Sequence, residues 1–60
     1  MPSDETRRVL KVFGVAVTNL EDAVDRRAPL AEIARWDAEL ADRTREVFAL
    51  VDRLRSRRIG

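Results

Sequence analysis

The sequence predicts an all-α fold, a two-helix antiparallel hairpin that pairs with a second copy into a four-helix bundle. Three observations lead there. Leu10, Phe13, Val17, Leu20 and Val24 recur at steps of three and four, the spacing that lines one side of a helix. Leu30, Ile33, Leu40, Val47, Val51 and Leu54 fall on a second grid of the same period, with Asp37 and Thr44 in its gaps. Between the two stands Arg26-Arg27-Ala28-Pro29, where the register breaks and a proline closes the first pattern. The whole chain, 1–60, reads as one domain: a first helix over about 4–27, a turn at about 28–29 and a second helix over about 30–57.

Local chemistry supports each element in turn. Ser3 is a good N-cap, and Asp4 and Glu5 suit the positive end of a helix. Residues Val9 to Val17 hold four valines, a phenylalanine and Gly14, a composition that also suits a strand, with Thr18-x-x-Glu21 then capping a shorter helix. Apolar residues there do not alternate cleanly, so the helical period is the stronger pattern. Gly14 either admits a close helix approach or is a weak point in the helix. Ala28 is pushed from helical angles by Pro29, which itself suits the first turn of the next helix. The turn lacks the glycine usual at a helix C-terminus, which leaves a single helix kinked at Pro29 as the alternative. Charge pairs at helical spacing back both segments: Asp4 with Arg8, Asp22 with Arg26, Arg35 with Glu39, and Glu39 with Arg43.

Composition narrows the function classes. A chain of 60 residues hides only about 60% of the surface its unfolded form exposes, so a lone hairpin needs further support. Cysteine and histidine are both absent, which removes disulfides, thiolate and imidazole metal ligands, and Cys-His or Ser-His catalytic pairs. No catalytic residues, metal or cofactor are expected, and the chain does not read as an enzyme, although a place as an accessory subunit of one stays open. Oligomerisation is the remaining support for so small a scaffold. Arginine supplies all but one of the 12 basic residues, yet the formal net charge is only +1, so the placement of the charges matters more than their sum. No apolar run is long enough to span a membrane. Thr6-Arg7-Arg8-Val9-Leu10-Lys11 partly resembles a twin-arginine export motif, but acids precede it and no cleavage site follows, so a cytoplasmic location is expected.

The apolar pattern is too wide for one partner helix. Trp36 and Leu50 flank the second seam on one side, and Ala34, Ala41, Phe48 and Val51 on the other, while Val9, Val12, Val15 and Ala16 widen the first. Leu10, Phe13, Val17, Leu20, Ile33, Trp36, Leu40, Val47, Phe48 and Val51 are therefore the expected oligomer interface, with a homodimer favoured over a different protein partner. Asp37 and Thr44 on the seam are candidates for setting register, Asp37 by meeting Arg27, Arg35 or a partner's arginine. The expected role is a self-associating assembly, docking or regulatory module.

An antiparallel hairpin also gathers Arg7, Arg8, Lys11, Arg53, Arg55, Arg57 and Arg58 at one pole, opposed there by Asp4, Glu5 and Asp52 alone. That pole carries +4 and the rest of the chain −3, a possible anion-binding footprint and the basis of a second reading as a nucleic-acid-binding regulator. No aromatic residues for stacking interleave with it. A membrane-surface reading of Val47, Phe48, Leu50, Val51, Leu54 and Ile59 with the arginines uses the same apolar side as the bundle, so the two exclude each other.

Overall fold

The computed structural model describes residues 2–59, without the side chain of Ile59. It holds two helices, α1 over Asp4–Asp25 and α2 over Leu30–Ile59, packed side by side as a hairpin. The first helix ends two residues before the expected 27, and the second runs two past 57. No strand occurs among the described residues: Val9 to Val17 lie inside α1.

The start of α1 follows from its cap. Ser3 is extended, at φ −71° and ψ 164°, and its hydroxyl accepts the Thr6 amide at 3.1 Å. That satisfies one of the amide donors left free at a helix start, and Asp4 and Glu5 sit beside the positive end of the dipole. Thr18 does not cap a second start. Its hydroxyl donates to the Gly14 carbonyl at 2.9 Å, one turn back within a continuous helix.

The end of α1 shows how the chain turns without glycine. Arg26 is the C-cap and Arg27 takes the left-handed conformation at φ 55°. The Ala28 amide reaches back to the Ala23 carbonyl at 2.9 Å and the Arg27 amide to the Val24 carbonyl at 3.1 Å. This is the Schellman pair of bonds, with arginine at the position that favours glycine. The apolar contact that accompanies it is present, since Ala23 and Ala28 are both buried. Pro29 then opens α2, its carbonyl accepting the amides of Glu32 and Ile33. The alternative of one kinked helix is thereby replaced by a true reversal.

The turn also decides which stripe of α1 faces α2. Because Ala23 is drawn onto Ala28, the buried column is Val9, Ala16 and Ala23, joined by the half-buried Phe13 and Leu20. The expected seam through Leu10, Val17 and Val24 is turned outward by one residue, about 100° around the helix, and those three side chains are 51%, 41% and 53% exposed. On α2 the inward side is Leu50, buried, with Ile33, Trp36, Leu40, Val47 and Val51 half-buried. Leu30 and Leu54 of the expected second grid are exposed. Thr44 is half-buried and satisfied within its own helix, its hydroxyl donating to the Leu40 carbonyl at 2.9 Å.

The core is thus thin. Among the described residues the five buried ones are three alanines, a valine and a leucine. The Cα radius of gyration is 14.3 Å, against about 10 Å for a compact domain of this length. The hairpin measures 47 × 19 × 12 Å, a slab two helices wide and one helix thick.

Two substitutions follow from the backbone. A Cβ added at Gly14 meets nothing within 4 Å, so this glycine serves no close approach. Gly14→Ala is expected to raise stability by about 1 kcal/mol through helix propensity alone. Arg27→Gly relieves the left-handed strain and is expected to gain a further ~1 kcal/mol. Thermal unfolding followed by circular dichroism checks both, with an unchanged or lowered midpoint as the contrary result.

Candidate interaction surface

Two interhelical ion pairs set the register. Arg53 donates two hydrogen bonds to Glu5, at 2.8 and 3.2 Å, near the open end of the hairpin. At the turn, Arg26 binds Asp22 at 2.9 Å through Nε and Glu32 through its terminal nitrogen, tying the end of α1 to the start of α2. In both interhelical pairs the two residue numbers total 58, so a residue of α1 stands level with the α2 residue whose number makes up that total. Leu10 is therefore level with Phe48, Val17 with Ala41 and Val24 with Ala34.

The slab has two unlike broad faces. Where two helices run antiparallel, the positions one residue after each buried column point to the same side. On α1 these are Leu10, Val17 and Val24; on α2 they are Ala34, Ala41 and Phe48, after Ile33, Leu40 and Val47. Phe48 is 65% exposed and Leu30, at the turn end of the same face, 84%. Asp37, Thr44 and Val51, one residue after Trp36, Arg43 and the buried Leu50, run between these two rows, so the apolar surface carries two polar side chains along its middle. The opposite face carries both interhelical ion pairs and Arg43, half-buried, whose guanidinium holds Glu39 at 2.8 Å and Glu46 at 2.6 Å. The stem of Arg43 lies along the apolar seam while its charge is met by the two acids.

The expected interface residues thus divide in two. Leu10, Val17 and Phe48 lie on the open apolar face, whereas Phe13, Leu20, Ile33, Trp36, Leu40, Val47 and Val51 are half-buried along the seam within the hairpin. Trp36 donates to Glu32 at 3.4 Å, and the Arg35 guanidinium stands 5.2 Å from the centre of its ring. Asp37 is exposed and belongs to none of the ion pairs among the described residues, so it meets neither Arg27 nor Arg35.

The basic pole forms as expected from the topology. Arg7, Arg8, Lys11, Arg53, Arg55, Arg57 and Arg58 are all exposed at the open end. They do not converge on a point. Arg53 is engaged by Glu5, and Arg55 lies 3.7 Å from Asp52. The shallow groove there, about 220 Å³, sets Glu5 and Glu46 against Arg8 and Arg53, an even balance of charge. Among the described residues no group of three or more acidic, histidine or cysteine side chains gathers to hold a metal, and no helix is long and apolar enough to cross a membrane.

The ion pairs make stability acid-sensitive. The hydrogen bond and charge of Arg53 hold the Glu5 carboxyl below its ordinary value of 4.5. Arg26, chiefly through its hydrogen bond, and then Trp36 do the same for Glu32. A carboxylate whose folded pKa is depressed adds stability above its unfolded pKa, and that stability is lost as pH falls through the folded value. The thermal midpoint is expected to drop below pH 4.5, and the drop to shrink in Arg53→Gln and Arg26→Gln variants. Because Glu5, Arg53 and Arg26 are exposed and Glu32 is only half-buried, the effect is small and weaker in high salt.

Comparison with known proteins finds no matching family model, curated protein or solved structure.

Proposed function

We propose that this chain is a small self-associating module that acts through helix–helix contacts, two hairpins closing a four-helix bundle on which assembly, docking or regulation depends. The observation that carries this reading is the open face of Leu10, Val17, Val24, Leu30 and Phe48 beside a core of five buried residues among those described. Five exposed large apolar residues on one face make a patch on the order of 500 Å², toward the upper end for a monomer (roughly 300–600 Å²) and typical of an interface. Covering it with a second layer of helices gives every helix two neighbours.

The test is the solution mass by light scattering on a sizing column at low and high salt. A dimer whose mass does not depend on salt supports the reading, since apolar burial is insensitive to screening. A folded single chain at micromolar concentration would overturn it and turn the face into a docking site for a different protein. The seven basic side chains of the open end support a second reading, binding of nucleic acid through phosphates. Its mark is an affinity that falls steeply with salt, as counterion release requires.

A further inference from the structure

We infer that the occupant of the apolar face is a second copy of this chain running the opposite way, so that the two turns lie at opposite ends of the bundle. This rests on the self-association reading and adds the partner's direction to it. Three features carry it: area points to a second copy as the occupant, and side-chain size and charge point to its direction.

The first is area. The chain exposes 4885 Å² at 6.9 kDa, whereas a compact monomer of that mass exposes about 4,000 Å². The excess, roughly 900 Å², matches the ~800 Å² that each partner hides in a stable interface of standard size. A second copy of the same slab has the length to cover the face from end to end.

The second is the order of side-chain sizes. Along the open face the register gives one large layer, Leu10 with Phe48, then two small ones, Val17 with Ala41 and Val24 with Ala34, and last the single Leu30 at the turn. With two hairpins fully overlapped and antiparallel, the large layer of one falls beside the small Val17–Ala41 layer of the other, and the reverse holds by symmetry. That is knob-into-hole packing across a two-fold interface. Turned the same way, the large layers meet each other and the small layers face a gap, which well-packed interiors do not keep.

The third is charge. The open end carries +4 and the remainder of the chain, centred on the turn, −3. Antiparallel packing sets each basic end beside an acidic one, while parallel packing doubles the like charge at both ends. Asp37, exposed on the apolar face near the turn, then comes opposite the partner's open end, where Arg7 and Arg55 stand. It thereby acts as a register group that disfavours the parallel alternative.

The test uses the full chain with one nitroxide, attached to Ala31→Cys in a sequence that has no other cysteine. Ala31 is exposed in the first turn of α2 and neutral. Antiparallel dimers place the two labels about 40 Å apart along the bundle axis, from a rise of 1.5 Å per residue, with lateral separation added. Dipolar spectroscopy should therefore read about 40 Å or more. A distance near 25 Å, the lateral separation alone of outward positions on paired helices, would overturn the antiparallel arrangement while leaving self-association standing. The mass of the same labelled sample separates the two failures, because a single-chain mass with no dipolar signal would overturn both. Asp37→Arg gives a second readout: it should weaken the dimer at least fivefold, and an unchanged or tighter dimer would count against the arrangement.

Discussion

On the self-association proposed above, Phe48→Glu is expected to leave single chains at concentrations where the native sequence pairs. In the isolated hairpin Phe48 is 65% exposed, so glutamate there removes little intramolecular packing, and glutamate is a good helix former. What it removes is an aromatic group in the large layer of the open face, and what it adds is a charge that the second copy would have to desolvate. Loss of a central anchor is worth about 2 kcal/mol or more, which is at least a ~30-fold weaker association. Sedimentation equilibrium measures it directly. The matched control is Val15→Glu, at a side chain 50% exposed and pointing away from the open face, which should leave the mass unchanged. If both variants dissociate alike, or neither does, the open face is not the contact.

The second large effect belongs to the interior. Ala23→Leu should lower stability by about 1–3 kcal/mol, because three added heavy atoms have no room where the helices meet. Ala23 is 0% exposed, packed at the point where the turn folds back onto the end of α1, and its carbonyl accepts the Ala28 amide. In a domain this small, that loss lowers the melting midpoint by roughly 4–8 °C for each kcal/mol. Val24→Leu, one residue further on at a side chain 53% exposed, should leave the hairpin within about 0.5 kcal/mol of the native chain. Thermal unfolding of the two variants side by side decides which stripe of α1 is the inner one. Equal melting midpoints would contradict the Ala16–Ala23 packing described above.

The contrast between those two neighbours marks where reading the sequence succeeds and where it stops. Ser3 as cap, the acids of the first turn, the pairs Asp22–Arg26 and Glu39–Arg43, and the break at Pro29 all depend on residues within one turn of each other. Each is legible from spacing alone, and each is present. The rotation of α1 was not legible. Apolar residues cover more than half of its circumference, so the columns through Leu10 and through Val9 satisfy the same period. Larger side chains favour the wrong one. Alanine carries little hydrophobic signal, yet Ala16 and Ala23 are inside because small residues let the two helices lie close. Arg27 was hidden for a similar reason, since a left-handed residue is read from glycine or asparagine and here arginine fills the place.

The candidate surface divides the same way. That the apolar stripe exceeds what one partner helix can cover follows from counting residues around a helix, and the chain carries that excess in any arrangement. Which part stays uncovered is set by the turn, where Ala28 folds back on Ala23 and Arg26 grips Glu32. The basic pole needed only the antiparallel path of the chain, but the engagement of Arg53 by Glu5, 48 residues away, needed the register. Helix formation is governed by bonds between residues four apart, so residue order alone determined that this chain is two helices with a reversal between them. The facing of one helix on another is chosen by contacts between distant residues competing for the same buried space. Only the packed tertiary structure decided that competition, placing alanine inside and leaving Leu10, Val17, Val24 and Phe48 open.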